Sequence, residues 1–178
     1  MLAALFQSSL IRLVPVGMIA LAIQSAVLVE LQVAGVIIQL VLALAAAAGA
    51  AGGSERGAIA GFTLGMMFDL FQGTPLGSTA IAFTLAGVVS GLLALIVAEP
   101  QWWLAAIFVA LGAAVGEAMV PVVRLFVSQS NPWPPDIATV IPVVSISAAL
   151  LSPLLVPIAR WCLRVRGSEW TAPVDEPL

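Results

Sequence analysis

Charged residues are so scarce in this chain that it cannot fold as an ordinary water-soluble protein. Its 178 residues include six basic and nine acidic side chains, 8% of the total, and 62% of the residues are hydrophobic. A soluble domain carries roughly 25% charged residues. Without that charge, most of the surface would be one apolar patch. The composition therefore excludes a soluble monomer and predicts an integral membrane protein.

Six apolar segments are each long enough to cross a bilayer, which takes about 20 residues. They cover approximately residues 10–29, 33–51, 54–71, 76–98, 102–126 and 137–163. We therefore expect an all-α integral membrane protein, a six-transmembrane-helix bundle that occupies residues 1–167. The proline-rich segment 127–136 is expected to be the one substantial internal loop. The polar segment 168–178 is expected to be a mobile tail.

The placement of arginine predicts the orientation of the bundle. With six spans, five arginines fall on one side: Arg12, Arg56, Arg160, Arg164 and Arg166. Only Arg124 falls toward the other side. Because basic residues favour the cytoplasmic side, both termini are expected in the cytoplasm, and the loop 127–136 is expected to face outward.

Three ionisable residues fall inside the expected spans, where charge is costly and marks candidate functional sites. Asp69 lies near the outer end of the third span, and Arg124 lies at nearly the same depth in the fifth. We expect Asp69 to pair with Arg124 or with backbone amides of the outer loop. Alternatively, Asp69 caps the turn at 72–77 and Arg124 extends to lipid headgroups. Glu117 lies about 10 Å deeper on the Arg124 face.

The inventory of reactive side chains argues against catalysis. The chain has no histidine and a single cysteine, Cys162, which excludes histidine-based catalysis, an intrachain disulfide and a cysteine-rich metal site. Asp69 and Glu117 would suffice for a carboxylate dyad or a proton relay, but no other catalytic group accompanies them. We expect no enzymatic activity, no metal and no cofactor. A proton- or ion-conducting bundle that uses Glu117 is the least favoured alternative.

Glycines recur every fourth residue in three of the expected spans, a spacing that lets helix backbones approach closely. The repeats are Gly57, Gly61 and Gly65; Gly87 and Gly91; and Gly112 and Gly116. Packing inside the bundle is the favoured interpretation, and a groove for a partner helix is the other. Because a protein in lipid must bind its partners through packing and polar contacts, we expect Gly61→Leu or Gly65→Leu to weaken complex formation and leave membrane insertion intact.

Residues 61–77 read GFTLGMMFDLFQGTPLG. This segment resembles the signature of MreD, a family of bacterial rod shape-determining membrane proteins. The family pattern is Gly-Phe-x-x-Gly-Leu-x-x-Asp followed by a Gly-x-Pro-Leu-Gly turn. The matching residues here are Gly61, Phe62, Gly65, Asp69, Gly73, Pro75, Leu76 and Gly77. Met66 replaces the usual leucine, a substitution that preserves volume.

The resemblance implies a non-enzymatic scaffold of the cell-elongation complex in the bacterial cytoplasmic membrane, where it would help to organise lateral peptidoglycan synthesis. The implied partner is an MreC-like single-span protein, within an assembly that includes MreB, RodA and a class B penicillin-binding protein. The implied fold is similar to the substrate-binding subunit of energy-coupling-factor transporters, which has an outward-facing pocket. On this chain, that outer cluster would comprise Asp69, the turn 72–77, Arg124 and the loop 127–136.

A second function remains open because transporter subunits share the implied fold. A solute-binding subunit for a vitamin should bring several polar or aromatic groups together near the outer face, and this chain has no tyrosine or histidine. The expected partners are membrane proteins and lipids, and no nucleic acid. The arginines at 160–166 either contact a cytoplasmic partner or, as we favour, act as the positive-inside signal beside anionic headgroups.

Overall fold

A computed structural model describes residues 9–30, 32–33, 35–97, 101–126 and 137–164. Helix α1 spans Ser9–Ile23 and continues as a π-helical turn, Gln24–Leu28. Strands β1 (Gln32–Val33) and β2 (Val36–Ile37) pair antiparallel. Four more helices follow: α2 (Leu40–Gln72), α3 (Ser78–Leu95), α4 (Trp102–Phe126) and α5 (Ile137–Leu163). The described part is thus helical apart from one small hairpin, as expected. The expected loop 127–136 and tail 168–178 lie outside it.

Four helices in the described part are long and apolar enough to cross a membrane. Their apolar stretches are Ile11–Leu28, Ser78–Leu95, Trp102–Val123 and Ile137–Leu163. They coincide with the expected first, fourth, fifth and sixth spans. Such lengths match the thickness of a bilayer core at 1.5 Å per residue, and they support the expected multi-pass membrane character.

Helix α2 contains the expected second and third spans and departs from a single rod. Gly53 has φ 84° and ψ 175°, outside the helical region. A Cβ on Gly57 would lie 2.6 Å from the Cα of Gly49, whereas eight residues of a straight helix cover about 12 Å. The chain therefore reverses at Gly53, and α2 is a hairpin of two helical segments, 40–52 and 54–72.

The helix of the expected second span begins later in the structure than the sequence predicts. Apolar residues from about 33 onward suggested helix, but Val36–Ile37 belongs to the two-stranded hairpin and the helix begins only at Leu40. Gln24 fixes this start, because its buried side-chain oxygen accepts a hydrogen bond of 3.0 Å from the amide of Val41. A side chain from the π-helical turn thus satisfies one of the amides that a helix N-terminus leaves unpaired.

The segment 40–52 forms the centre of the bundle. Its leucine, valine and alanine side chains are all at most 8% exposed. A helix that is apolar on every side is stable only when other elements surround it, and the small alanine side chains let those helices pack close. The core therefore consists of this segment enclosed by the other helices.

The glycine repeats face other helices of the same chain. A Cβ added to Gly61 would lie 2.2 Å from the carbonyl oxygen of Phe83, and a Cβ added to Gly65 would lie 2.4 Å from the Cα of Ala80. Gly57 meets Gly87 in the same way, and Gly112 meets Ala86. These contacts support packing inside the bundle. In Gly61→Leu or Gly65→Leu, the added side chain would meet the backbone of α3, so a loss of complex formation would also follow from disrupted packing within the bundle.

Arginines from three helices gather at one end of the bundle. The Arg12 guanidinium carbon lies 5.1 Å from the centroid of the Trp161 ring. A Cβ on Gly52 would lie 2.8 Å from Leu163 Cδ1 and 3.2 Å from Arg56 Cβ. The starts of α1 and of segment 54–72 therefore lie beside the end of α5. The turn between α2 and α3 lies at the opposite end of segment 54–72.

Candidate functional site

Asp69 is the buried polar centre of the turn that joins α2 to α3. Its side chain is 0% exposed. Its carboxylate accepts hydrogen bonds from the amides of Gly77 at 2.8 Å and Thr79 at 3.2 Å. The hydroxyls of Thr74, at 2.7 Å, and Ser78, at 3.2 Å, donate to the same carboxylate, as does the hydroxyl of Thr79. Of the two partners expected for Asp69, the structure shows the backbone amides, and the same contacts equally fit the alternative in which Asp69 caps the turn at 72–77.

The position of Asp69 is favourable because of the neighbouring helix. At the end of its own segment, an anion meets the negative end of the helix dipole. Helix α3 begins at Ser78, however, and presents its unpaired amides and positive dipole end to the same carboxylate. The carboxylate thus acts as the N-terminal cap of α3 from outside that helix. With its oxygens engaged in this way, Asp69 stabilises the turn between α2 and α3.

The turn itself depends on two glycines in the left-handed region. Gly73 (φ 67°, ψ 21°) ends α2, and its amide donates to the Asp69 carbonyl oxygen. Gly77 (φ 92°, ψ −11°) precedes α3. Residues with a Cβ rarely adopt these angles. The turn therefore explains three residues of the sequence signature: Asp69, Gly73 and Gly77 together allow the chain to reverse tightly between two helices.

A small cavity of about 110 Å³, with a mixed polar and apolar lining, lies beside this turn. Gln39, Thr79 and Glu117 supply its polar lining, and Pro121 is among its apolar lining residues. Glu117 is 9% exposed, and one of its carboxylate oxygens accepts a hydrogen bond of 2.6 Å from Gln39 Nε2. Thr79 lines the cavity and also binds Asp69, so one residue connects the two acidic sites.

Glu117 also lies beside a helix start. Gln39, its donor, is the residue that precedes the central segment 40–52. Both acids thus lie at the beginning of a helical segment, Asp69 at α3 and Glu117 at the central segment 40–52. A carboxylate at such a position complements the partial positive charge of the helix end.

The other members of the sequence signature divide into buried and exposed sets. Gly61 and Gly65 are buried against α3, whereas Phe62 is 52% exposed and Leu76 is 66% exposed. Leu70 and Phe71 are also exposed, and like Phe62 and Leu76 they belong to the helical hairpin that segment 54–72 forms with α3. We call these four exposed residues, Phe62, Leu70, Phe71 and Leu76, the hairpin surface; Phe62 and Phe71 are nine residues apart and so lie on opposite sides of segment 54–72. Sequence reasoning grouped the signature as one motif and did not separate its packing residues from its surface residues.

Two polar residues of the site were not anticipated from the sequence. Thr79 follows the turn directly, and a hydroxyl residue in the first turn of a helix is a signal for hydrogen bonding at that end. Gln39 is an isolated amide between apolar segments, which in lipid calls for a polar partner. Arg124 belongs to α4, but its side chain lies outside the described part, and its expected pairing with Asp69 lies there too.

The fold and the site define this chain as a multi-pass helical membrane protein. The carboxylates of Asp69 and Glu117 are buried in it and accept hydrogen bonds from other residues of the same chain. In the described residues, no group of three or more His, Cys, Asp or Glu side chains is arranged to hold a metal ion. Comparison with family models, with curated proteins and with solved structures finds no match to this chain.

Proposed function

We propose that this protein is a non-enzymatic scaffold of the bacterial cell-elongation complex, in which it binds an MreC-like single-span protein. Its role is to help organise lateral peptidoglycan synthesis and so to maintain cell shape. The proposal starts from the resemblance of residues 61–77 to the MreD signature. MreB, RodA and a class B penicillin-binding protein are the further members of the proposed assembly.

The observation that carries the proposal is that some signature residues pack inside the bundle while others are exposed on its outside. Gly61, Gly65 and Asp69 hold the hairpin of segment 54–72 and α3 rigid, while Phe62 and Leu76 are exposed. The arrangement presents exposed apolar side chains on a well-packed pair of helices. In lipid, association depends on packing between well-formed surfaces, so a rigid hairpin suits a scaffold better than it suits an enzyme.

The proposed topology has six membrane-crossing segments with both termini in the cytoplasm of a bacterial cell. The hairpin form of α2 supports two crossings, 40–52 and 54–72. The second is about 28 Å long, close to the bilayer core. The first is only about 20 Å long, but it is enclosed by the other helices and need not match the lipid. The gathering of Arg12 and Arg56 at the end of α5 supports a cytoplasmic location for that end.

A solute-binding transporter subunit is the alternative, and the small cavity at Glu117 is the observation in its favour. Its volume of about 110 Å³ is well below the roughly 300–1,000 Å³ typical of small-molecule sites. A vitamin would therefore require the helices to separate. Saturable, tight binding of a vitamin to the purified protein would replace the scaffold proposal with this one. The proposed similarity to the substrate-binding subunit of energy-coupling-factor transporters concerns the fold and is shared by both functions.

The decisive experiment is co-purification of the tagged protein with the MreC-like protein of the same organism. We expect recovery of the partner with the unaltered chain and reduced recovery with Phe62→Ala. An anchor at the centre of an interface contributes about 1 kcal/mol or more, equivalent to at least about a fivefold loss. Leu150→Ala is the matched control, since Leu150 is 74% exposed on α5 and lies outside the hairpin surface.

The same variants should be scored for cell shape in a strain that depends on this protein. Phe62→Ala should give rounded cells and Leu150→Ala should give rods. Failure of the unaltered chain to recover the partner, together with normal rods in its absence, would refute the proposed function.

A further inference from the structure

An apolar groove runs along the outside of the bundle between α1 and α5. Val16 and Ile19 line it from α1, and Pro157, Ile158 and Trp161 line it from α5. Its volume is about 500 Å³, and it is an open groove about one helical turn long on each helix. It is distinct from the cavity at Glu117 and from the hairpin surface.

A cation lies beside the groove: Arg12 does not line it but contacts Trp161, which does. Arg12 precedes Val16 by one helical turn and is stacked on Trp161, with 5.1 Å from the guanidinium carbon to the ring centroid. This stacking restrains a side chain that otherwise loses considerable entropy on binding. Trp161 lies near the end of a membrane-spanning helix, the depth at which tryptophan meets the headgroup region. The apolar wall of the groove in the hydrocarbon region thus lies beside a guanidinium at the headgroup level.

The shape of the groove favours a flexible chain over a helix. Helices that associate in lipid use small residues to bring their backbones together. None of the five lining residues is glycine, alanine or serine. An acyl chain can follow such a wall without close backbone approach, and a guanidinium binds phosphate oxygens through two parallel hydrogen bonds.

We propose that this groove is a binding site for one phospholipid with an anionic headgroup. The acyl chain lies against Val16, Ile19 and Pro157, and the phosphate binds at the Arg12 guanidinium. The site does not depend on the proposed scaffold function, because it rests on α1 and α5 alone.

The test uses the full-length protein purified in detergent, with phosphatidylglycerol or phosphatidylcholine added in increasing amounts. A ligand that binds the folded state raises the melting temperature in proportion to its occupancy. We expect phosphatidylglycerol to stabilise the protein more than phosphatidylcholine. Arg12→Gln should weaken the apparent affinity for phosphatidylglycerol about fivefold, the effect of one basic residue near an anionic headgroup.

Three further variants make the result specific. Arg160→Gln removes the same charge from an exposed residue of α5 that does not line the groove, and it should leave the affinity nearly unchanged. Arg12→Lys keeps the charge but loses the planar fork, and it should give an intermediate affinity. Ile19→Trp fills the groove and should abolish the stabilisation by phosphatidylglycerol while preserving the melting temperature without added lipid.

Several results would overturn the proposal. Equal stabilisation by the two lipids would show that the headgroup is not recognised. Equal losses for Arg12→Gln and Arg160→Gln would show a general effect of surface charge. Unchanged phosphatidylglycerol binding by Ile19→Trp would show that the lipid lies elsewhere, and a protein segment found in the groove would replace the lipid as its occupant.

Discussion

Asp69 shows how a single buried carboxylate can stabilise the turn between two helices of a membrane protein. Five residues of the turn and of the start of α3, from 74 to 80, donate hydrogen bonds to its carboxylate. The sequence could predict that this acid needs partners, because an anion near the end of its own helix is unfavourable. It could not identify Thr79 as a partner, since the nine intervening residues must first form the turn that brings the two together.

Replacing Asp69 should destabilise the protein strongly. In Asp69→Ala, the buried amides of Gly77 and Thr79 lose their acceptor, and each unsatisfied group costs about 1–3 kcal/mol. We expect a loss of at least about 2 kcal/mol, measured as a lower melting temperature by tryptophan fluorescence in detergent. Glu30→Ala, which removes an exposed acid, should have little effect. Equal stability of Asp69→Ala and the parent would contradict the capping role.

Gln39 should stabilise the fold through Glu117. Gln39→Leu removes a 2.6 Å hydrogen bond to a buried carboxylate, and hydrogen bonds to charged groups contribute about 1.5–3 kcal/mol. We expect a loss of about 2 kcal/mol in the free energy of unfolding. The double variant Gln39→Leu, Glu117→Leu should lose less than the sum of the single losses, because it removes the donor and the acceptor together.

Gln72→Leu is the matched control for this pair, since Gln72 is exposed at the end of α2. Its unfolding free energy should stay near that of the parent. Strictly additive losses in the Gln39 and Glu117 cycle would show that the two side chains do not interact energetically.

At the scale of elements, the apolar segments identify the long helices well and the start of α2 poorly. Residues 33–38 are as apolar as a membrane helix, and hydrophobicity alone does not separate a short strand from a helix. Val36 and Ile37 are β-branched and form β2. In contrast, the reversal at Gly53 falls between the expected second and third spans, because Ser54, Glu55 and Arg56 interrupt the apolar pattern there.

Any side chain at Gly65 should disturb the packing of segment 54–72 against α3, and the loss of stability should grow with its size. A Cβ there would lie 2.4 Å from the Ala80 Cα, a backbone atom that cannot move aside cheaply. We expect Gly65→Leu to abolish folded protein and Gly65→Ala to cost roughly 1–3 kcal/mol, as overpacking does. Size-exclusion profiles and melting temperatures in detergent would measure both effects.

Thr63→Leu provides the control for added bulk, because Thr63 lies on the half-exposed side of the same segment. It should fold normally. A folded, fully stable Gly65→Leu would mean that the two helices are not in close contact.

Gly53 should be equally intolerant for a conformational reason. Its φ of 84° and ψ of 175° lie in a region that is essentially reserved for glycine. Space is not the constraint, since a Cβ would meet no neighbouring atom within 4 Å. Gly53→Ala should therefore cost about 1–3 kcal/mol through backbone strain alone, visible as a lower melting temperature, and an unchanged melting temperature would argue against the reversal at this residue.

At the scale of the whole molecule, the reversal at Gly53 determines the membrane topology of the chain. If segments 40–52 and 54–72 both cross, the turn at 53–55 and the turn at 73–77 must lie on opposite sides. Glu55 and Leu76 are exposed residues at these two turns. The native Cys162 is buried and should react slowly with a thiol reagent, so single cysteines introduced at the two turns can be detected above it.

We expect Leu76→Cys to react with a membrane-impermeant maleimide in intact spheroplasts, and Glu55→Cys to react only after the membrane is permeabilised. The reason is that Glu55 shares its end of the bundle with Arg56, beside Leu163 at the end of α5, and basic residues concentrate on the cytoplasmic side. Labelling of both cysteines from outside would mean that segment 54–72 does not cross the membrane. The opposite labelling pattern would keep the six crossings and invert the orientation of the protein.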